Sequence, residues 1–564
     1  MNDIRRTILW VIFGFSMVLL WDQWQVHNGR QATFFPSPSK AATAVSATPA
    51  QAATPVPAGA APAAAPNVPT AATQASAAAR ERVVINSDVL KLTFDTEGGT
   101  LVHSEFLQHR DLGDKTKNFV LLDQSKDRVY VSQTGLIAGA AGASYPTHKT
   151  VMTLVPGPRE LKDGVDALEL KFESPEIGGV KLTKTYTLRR GSYALDVKHD
   201  IVNAGAVPVA PQLYLQLVRD GNKPVGEDSS FYSTFTGPAV YTEAKKYQKV
   251  EFSDIEKNKI EIEKQSENGY VAMVQHYFAS AWLLGEGIKR DLFMRKVDAN
   301  LYAVGMITPL ETLAPAASKS VQARLFVGPQ EEKMLESLAP GLELVKDYGW
   351  LTILAKPLYW LLDKLEHLIG NWGWAIVALV VVLKIAFYWL NAKAYASMAK
   401  MKAINPRIME MRERLKDNPQ QMQQEMMRIY REEKVNPMGG CLPIMIQIPV
   451  FIALYWVLLS SVEMRNAPWI LWVSDLSTKD PYYILPVLMT LSTLLQTALN
   501  PAPPDPMQAK MMWIMPLVFS VMFFAFPAGL VLYWLTNNIL SIAQQWIINT
   551  RMGVPPQFNL PKFN

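Results

Sequence analysis

The sequence predicts a multi-domain membrane protein: six transmembrane helices, an all-β domain between the first and second, and a helical hairpin between the second and third. Three observations predict it. Five apolar runs long enough to cross a bilayer lie in the last 200 or so residues. Period-two alternation of apolar and polar residues runs through much of residues 81–340. Basic residues concentrate in one of the loops between the apolar runs, and such loops stay on the cytoplasmic side.

The chain has 564 residues, enough for a membrane core and a separate soluble domain. Its 55 Lys and Arg against 50 Asp and Glu leave a formal charge of +5, too small to imply direct nucleic-acid recognition. The single cysteine, Cys441, excludes an internal disulfide and a cysteine-based metal cluster. It lies far from the amino terminus, so the first span is not a lipoprotein signal.

The first element reads Arg5-Arg6 and then Thr7 to Trp21 without a charge. No small-x-small cleavage site follows; the chain continues Asp22-Gln23-Trp24. Residues 1–27 are therefore expected to be an uncleaved signal anchor whose basic start stays in the cytoplasm. Residues 28–80 are mostly Ala, Pro, Thr, Ser and Gln, which cannot bury a core, so they read as a disordered periplasmic tether.

Residues 81–340 form the expected periplasmic β-sandwich. Leu90, Leu92 and Phe94 alternate with Lys91 and Thr93, and Glu97-Gly98-Gly99 turns the chain. Leu168, Leu170 and Phe172, then Tyr193, Leu195 and Val197, then Leu213, Leu215 and Leu217 repeat the pattern, the mark of half-buried antiparallel strands. Residues 341–369 mix Trp350, Tyr359, Trp360 and Leu365 with Lys356, Asp363, Lys364 and Glu366. That segment is too charged to span and is expected to lie as an amphipathic helix on the outer membrane surface.

The core occupies residues 370–550, with spans expected at about 372–390, 441–462, 482–499, 511–526 and 528–548. Six spans return the 551–564 tail to the cytoplasm. Lys384 lies inside the first of these runs, where a charge costs roughly 2.5–3.5 kcal/mol. It either snorkels to the headgroups or faces a watery cavity, a partner charge or a polar client.

Within the loop, residues 393–437 predict a helical hairpin. Asn405-Pro406 and Asn418-Pro419 each place a capping residue before a proline. Ile408, Met411 and Leu415 face Met422, Met426 and Ile429 as matching seams. Its outer face carries Arg407, Arg412, Arg414, Lys416, Arg428 and Arg431, which is either a solvated surface or a docking arm for ribosomes, targeting factors or nascent chains. The last two spans form one apolar stretch, Met511 to Ile548, about 57 Å as a single helix and nearly twice a bilayer core. Pro527 and Gly529 in Phe526-Pro527-Ala528-Gly529 supply the break, and the first limb is short enough to thin the local bilayer.

Gln447, Gln496, Asn537 and Asn538, with Thr490, Ser492, Thr493, Thr536 and Ser541, place polar groups within the spans. Such groups commonly join helices; as a set around Lys384 they could wet a groove. Intramembrane carboxylate pairs, a nucleophile elbow, a phosphate loop and a zinc motif are missing from the sequence, so coupled transport and hydrolysis find little support and no cofactor or metal is expected.

Together these residues resemble the YidC/Oxa/Alb family of membrane-protein insertases. The resemblance runs from Asp347-Tyr348-Gly349-Trp350-Leu351 and Gly370-Asn371-Trp372-Gly373 through Asn436-Pro437-Met438-Gly439-Gly440-Cys441-Leu442-Pro443 and Gln447-Ile448-Pro449-Val450-Phe451. It continues through Asp480-Pro481-Tyr482-Tyr483 and Asp505-Pro506-Met507-Gln508 to Phe526-Pro527-Ala528-Gly529-Leu530-Val531-Leu532-Tyr533-Trp534. It implies a Gram-negative, inner-membrane form with a periplasmic supersandwich similar to the galactose-mutarotase fold. Five core helices would enclose a hydrophilic groove open to cytoplasm and lipid. Lys384 stands where the family usually has Arg, Val380 where some members carry a hydroxyl, and Trp534 where a second Tyr often follows Tyr533.

The function implied is a non-enzymatic insertase and chaperone of inner-membrane proteins, acting alone or with the Sec translocon (SecYEG and SecDF-type components). The ribosome, the signal-recognition machinery and the lipid bilayer are its other expected partners. The client site would comprise Lys384, Gln447, Gln496, Tyr533, Trp534, Asn537 and Asn538, with client release along the third and fifth spans. Two rival readings are a transporter or channel, and a membrane-anchored periplasmic enzyme acting on carbohydrate.

Overall fold

A computed structural model describes residues 80–139, 143–224, 234–415, 418–433, 442–500, 506–553 and 558. The signal anchor, almost all of the tether, Lys416, Cys441 and most of the carboxyl tail lie outside the described residues. Two compact units divide between Lys346 and Asp347, one of strands and one of helices.

In the strand unit, two antiparallel sheets pack as a sandwich. One follows the order Arg82–Asn86, Leu90–Asp95, Thr100–Arg110, Val129–Ala138, Pro211–Asp220, Leu301–Pro309, Arg290–Asp298, Gln265–Ser266. The other runs Lys246–Lys249, Gly237–Thr242, Tyr270–Gln275, Phe278–Leu284, Ser318–Pro329, Ala194–Asn203, Val180–Arg189, Ala167–Glu173, Thr153–Leu154. Leu90, Leu92, Phe94, Leu168, Leu170, Phe172, Leu195 and Val197 are all buried, as the alternation predicts. Two short helices, α1 (Phe252–Glu256) and α2 (Glu332–Leu338), join this unit.

Three buried polar side chains stitch the sheets together. The Tyr130 hydroxyl donates to the Met273 carbonyl at 3.1 Å and lies 2.7 Å from Ser280 Oγ. Trp282 Nε1 donates to the Gln216 carbonyl at 3.3 Å. Lys184 Nζ donates to the carbonyls of Gly98 at 2.6 Å and Thr134 at 2.7 Å. Gly98 has φ +74°, and a Cβ there would run into the His148 backbone, so this turn requires glycine.

Burial pushes the Lys184 amine down to about 7, because the charged form loses its water; the two carbonyls offset only part of that. Burial and the nearby Lys184 charge push His148 and His199 down to about 3, so both stay neutral well below pH 7. Between pH 7 and about 10 the unfolded chain keeps a proton on Lys184 that the folded domain has released, so stability rises with pH by up to about 1.4 kcal/mol per unit. Hydrogen exchange of strand Val180–Arg189, corrected for intrinsic rates, should show protection increasing from pH 7 to 9, and Lys184→Met should flatten it.

The helical unit contains α3 (Thr352–Ile369), α4 (Trp372–Ala386), α5 (Tyr388–Arg414), α6 (Pro419–Glu432), α7 (Leu442–Ser460), α8 (Ile484–Leu499), α9 (Pro506–Met522) and α10 (Ala528–Arg551). Helix α10 is central: it packs on α4, α5, α7 and α8, and Ala528 to Tyr533 are all buried. Helix α3 buries Ala355, Tyr359 and Leu362 against α4 and α7 and leaves Ile353, Trp360 and Leu368 exposed.

Three expected boundaries are corrected. The amphipathic segment is not one helix from residue 341. Leu342–Val345 is a 3-10 turn of the strand unit, Gly349–Leu351 is a second 3-10 turn in the helical unit, where Gly349 takes a left-handed φ of +68°, and α3 starts only at Thr352. The run 372–390 breaks at Phe387, where α4 and α5 meet at 69°. Phe387 has φ −93° and ψ 9°, outside helical geometry, although neither Gly nor Pro marks the place. No helix starts at Asn405-Pro406: α5 runs through Pro406, and the seam of Ile404, Ile408 and Met411 continues unbroken across it.

That seam packs against Ile429, Met422 and Met426 of α6, whose start is capped by Asn418 Oδ1 accepting from the Gln421 N–H at 3.2 Å. Among the described residues, no single helix is long and apolar enough to cross a membrane; α4 and α5 together pass that test across their bend.

Candidate functional site

The bend at Phe387 puts Lys384 in the last turn of α4, beside the middle of α10. There it lines a pocket with Val380, Leu383, Phe387, Leu390 and Asn391 on the α4–α5 side, Gln447 and Val450 from α7, and Tyr533 and Asn537 from α10.

Lys384 Nζ donates to Ser541 Oγ at 2.6 Å. Ser541 Oγ in turn donates to the Asn537 carbonyl at 2.7 Å. Among the described residues no carboxylate lies within ion-pair distance of Lys384, and Ser541 is its one hydrogen-bond partner, which leaves two of the three ammonium N–H groups for something else. Gln447 Nε2 donates to Asn537 Oδ1 at 2.9 Å, so the amides of α7 and α10 close the far wall. The result is a half-buried cation with spare donors in a small pocket, apolar on Val380, Leu383, Phe387, Leu390 and Val450 and polar on Asn391, Gln447, Tyr533 and Asn537. Such a site attracts carboxylates and other acceptors.

The expected site residues separate into two groups. Lys384, Gln447, Tyr533 and Asn537 come together at the pocket. Trp534 turns into the apolar core instead, edge-on to Phe451 at 4.5 Å and tilted on Phe523 at 5.1 Å. Asn538, next to Asn537, faces α8 and donates to Ser492 Oγ at 3.1 Å and Thr493 Oγ1 at 2.8 Å. A helical step of about 100° separates the two asparagines. Gln496, also on α8, is not among the pocket-lining residues. Asn391, Val450 and the partner role of Ser541 go beyond what the sequence singles out.

The basic face is less free than its charges suggest. Arg407 bridges Glu432 at 3.0 Å and Glu433 at 2.9 Å, joining α5 to α6, and Arg428 pairs with Glu432 at 2.8 Å. Arg414 and Arg431 are exposed, and Arg412 is half-buried.

Pro527 and Gly529 make a fixed corner. The Ala528 N–H donates to the Thr478 carbonyl at 2.7 Å and the Gly529 N–H to the Leu476 carbonyl at 2.9 Å, so the loop before α8 satisfies the first donors of α10. A Cβ on Gly529 would sit 3.2 Å from the Leu476 carbonyl oxygen, a tight contact with the backbone that its own N–H bonds. Asp480 of the same loop accepts from the N–H groups of Tyr482 at 3.0 Å and Leu485 at 2.7 Å, anchoring the start of α8.

Family comparisons also divide the chain in two, with the boundary at 361–364 inside α3 rather than at Lys346/Asp347. A family model described as the YidC periplasmic domain matches residues 82–361, and one described as the 60Kd inner membrane protein matches 364–554. A curated relative from Cupriavidus necator is 56% identical over 98% of this chain and 98% of its own length. Relatives from Ralstonia nicotianae, at 55% over 98% of both chains, and Burkholderia cenocepacia, at 54% over 98% of this chain and 99% of its own, agree. All three are named membrane protein insertase YidC. The chain belongs to the YidC family of membrane protein insertases.

As a YidC insertase it acts on membrane-protein clients in the inner membrane, and its strand unit is the periplasmic domain. Insertion breaks no covalent bond, so the chain is not an enzyme. Among solved structures, an active YidC insertase crystal structure matches 84% of this chain and 94% of that one, at 20% identity and a TM-score of 0.37. A galactose mutarotase related enzyme from Lactobacillus acidophilus covers 44% of this chain and 97% of its own, at 8% identity and a TM-score of 0.30.

Proposed function

We propose that Lys384 is the client-receiving charge of this insertase. Its two uncommitted N–H groups, in a pocket without a counter-ion among the described residues, are the observation that carries the reading. A client's short acidic outer segment enters from the cytoplasmic side and takes the place of the pocket water. The ammonium offsets the cost of bringing that polar segment into low dielectric. The client's apolar segment then moves into lipid along α7 and α9, the third and fifth spans. Burial of apolar surface, roughly 25 cal/mol per Å², drives the step without a nucleotide.

To admit a peptide, α4, α7 and α10 part around the pocket. The polar Gln447–Asn537 bond between α7 and α10 is the contact that gives way.

This reading places six spans in the inner membrane with both termini in the cytoplasm. The anchor at 1–27 and the tether at 28–80 lead to the periplasmic domain at 81–340. The segment 341–369 lies on the outer surface with Ile353, Trp360 and Leu368 toward lipid. Helices α5 and α6 form the cytoplasmic hairpin within 393–437. Its exposed Arg414 and Arg431 serve ribosome and targeting-factor docking, and the Sec translocon is a working partner.

A photo-reactive residue at position 391, on the pocket wall, tests the placement directly. It should crosslink the outer segment of a ribosome-stalled client, while one at 538, facing α8, should not. Equal crosslinking at the two positions, or none at 391, contradicts it.

A further inference from the structure

We infer that Ser541 is a positioning residue for Lys384, holding its ammonium in the pocket rather than letting it reach the membrane surface. This rests on the reading of Lys384 as the client-facing charge. Lysine is a point charge on a flexible four-carbon stem. The span expected from the sequence ends six residues after Lys384, at Leu390, within reach of a lysine stem, so an unheld ammonium has a route to headgroups and water. The hydroxyl that stops it is itself fixed.

Ser541 is almost fully buried on the pocket side of α10, one turn after Asn537. Its single O–H hydrogen is committed to the Asn537 carbonyl at 2.7 Å. The oxygen is left to accept, and Lys384 Nζ approaches it at 2.6 Å. Tyr395 of α5 interacts with the same Ser541. Three helices therefore meet at this hydroxyl, and it is neutral. A carboxylate in its place would neutralise the ammonium and leave nothing to attract a client; an apolar side chain would not hold it. A neutral acceptor fixes the charge and keeps it unspent.

The competing role is plain helix joining, since serine often links helices. The experiment uses the full-length protein in proteoliposomes and reads the initial insertion rate of one client with an acidic outer segment and one with an uncharged segment. Ser541→Ala should slow the acidic client about fivefold, near 1 kcal/mol for one hydrogen bond, and leave the uncharged client unchanged. Ser541→Thr, which keeps the hydroxyl, should restore the rate. The double variant with Lys384→Ala should be no slower than Lys384→Ala alone, because Ser541 acts only through the ammonium.

Additive loss in the double variant, equal slowing of both clients, or no rescue by threonine overturns the inference while leaving the role of Lys384 standing. A wild-type rate for Lys384→Ala on the acidic client overturns both.

Discussion

Lys384→Glu is expected to slow insertion of clients with acidic outer segments by more than tenfold, and Lys384→Ala by about tenfold, in purified proteoliposomes. A charge-assisted hydrogen bond contributes about 1.5–3 kcal/mol, and about 1.4 kcal/mol is a factor of ten in rate. Alanine removes that attraction. Glutamate replaces it with repulsion in a pocket that has no other cation among its lining residues. Lys384→Arg keeps the charge and offers more donors, and it should stay within about threefold of wild type. Clients whose outer segment carries no acid should respond little to any of the three.

Trp282→Ala is expected to cost the periplasmic domain about 3–5 kcal/mol, the range for deleting a large aromatic side chain from a core. Trp282 is fully buried and its indole N–H bonds the Gln216 carbonyl in the opposite sheet, so the substitution opens a cavity and removes a link between sheets. Urea unfolding followed by a probe in this domain should show the loss. Insertion of the acidic client should persist, because the pocket and every residue lining it belong to the other compact unit. Removing residues 81–330 while keeping α3 should have the same functional outcome. A carbohydrate-acting enzyme on this sandwich would instead lose all activity.

The strands that could be read from sequence are those with one covered face. Leu168, Leu170 and Phe172 alternate with exposed charges, and the alternation is the signal. Tyr270–Gln275 and Phe278–Leu284 are buried along their whole length, so they carry no period to read. Successive side chains point to opposite faces, so burial of every residue means that both faces of these strands are covered.

For the site, Lys384 was legible because a charge in an apolar run is expensive. Which polar neighbours reach it was not. Asn537 and Asn538 have the same chemistry, and only the rotation of α10 against α4 and α8 decides that one faces the pocket and the other Ser492. Ser541 looks like any serine in a span until its distance to Lys384 is known. The break at Phe387 carries no sequence mark, since neither Gly nor Pro stands there. The salt links of Arg428 to Glu432 sit at helical spacing and were open to inspection. Those of Arg407 to α6 depend on how the two helices meet.

The most direct measurement exchanges the charges. Lys384→Glu is paired with a client whose outer acids are replaced by lysines, and its insertion rate is compared with that of the same variant on the acidic client. The account predicts that the reversed pair regains most of the wild-type rate while the mismatched pair stays slow. Equal rates for the two pairings would show that the charge at position 384 does not attract the client, and the mechanism would be wrong.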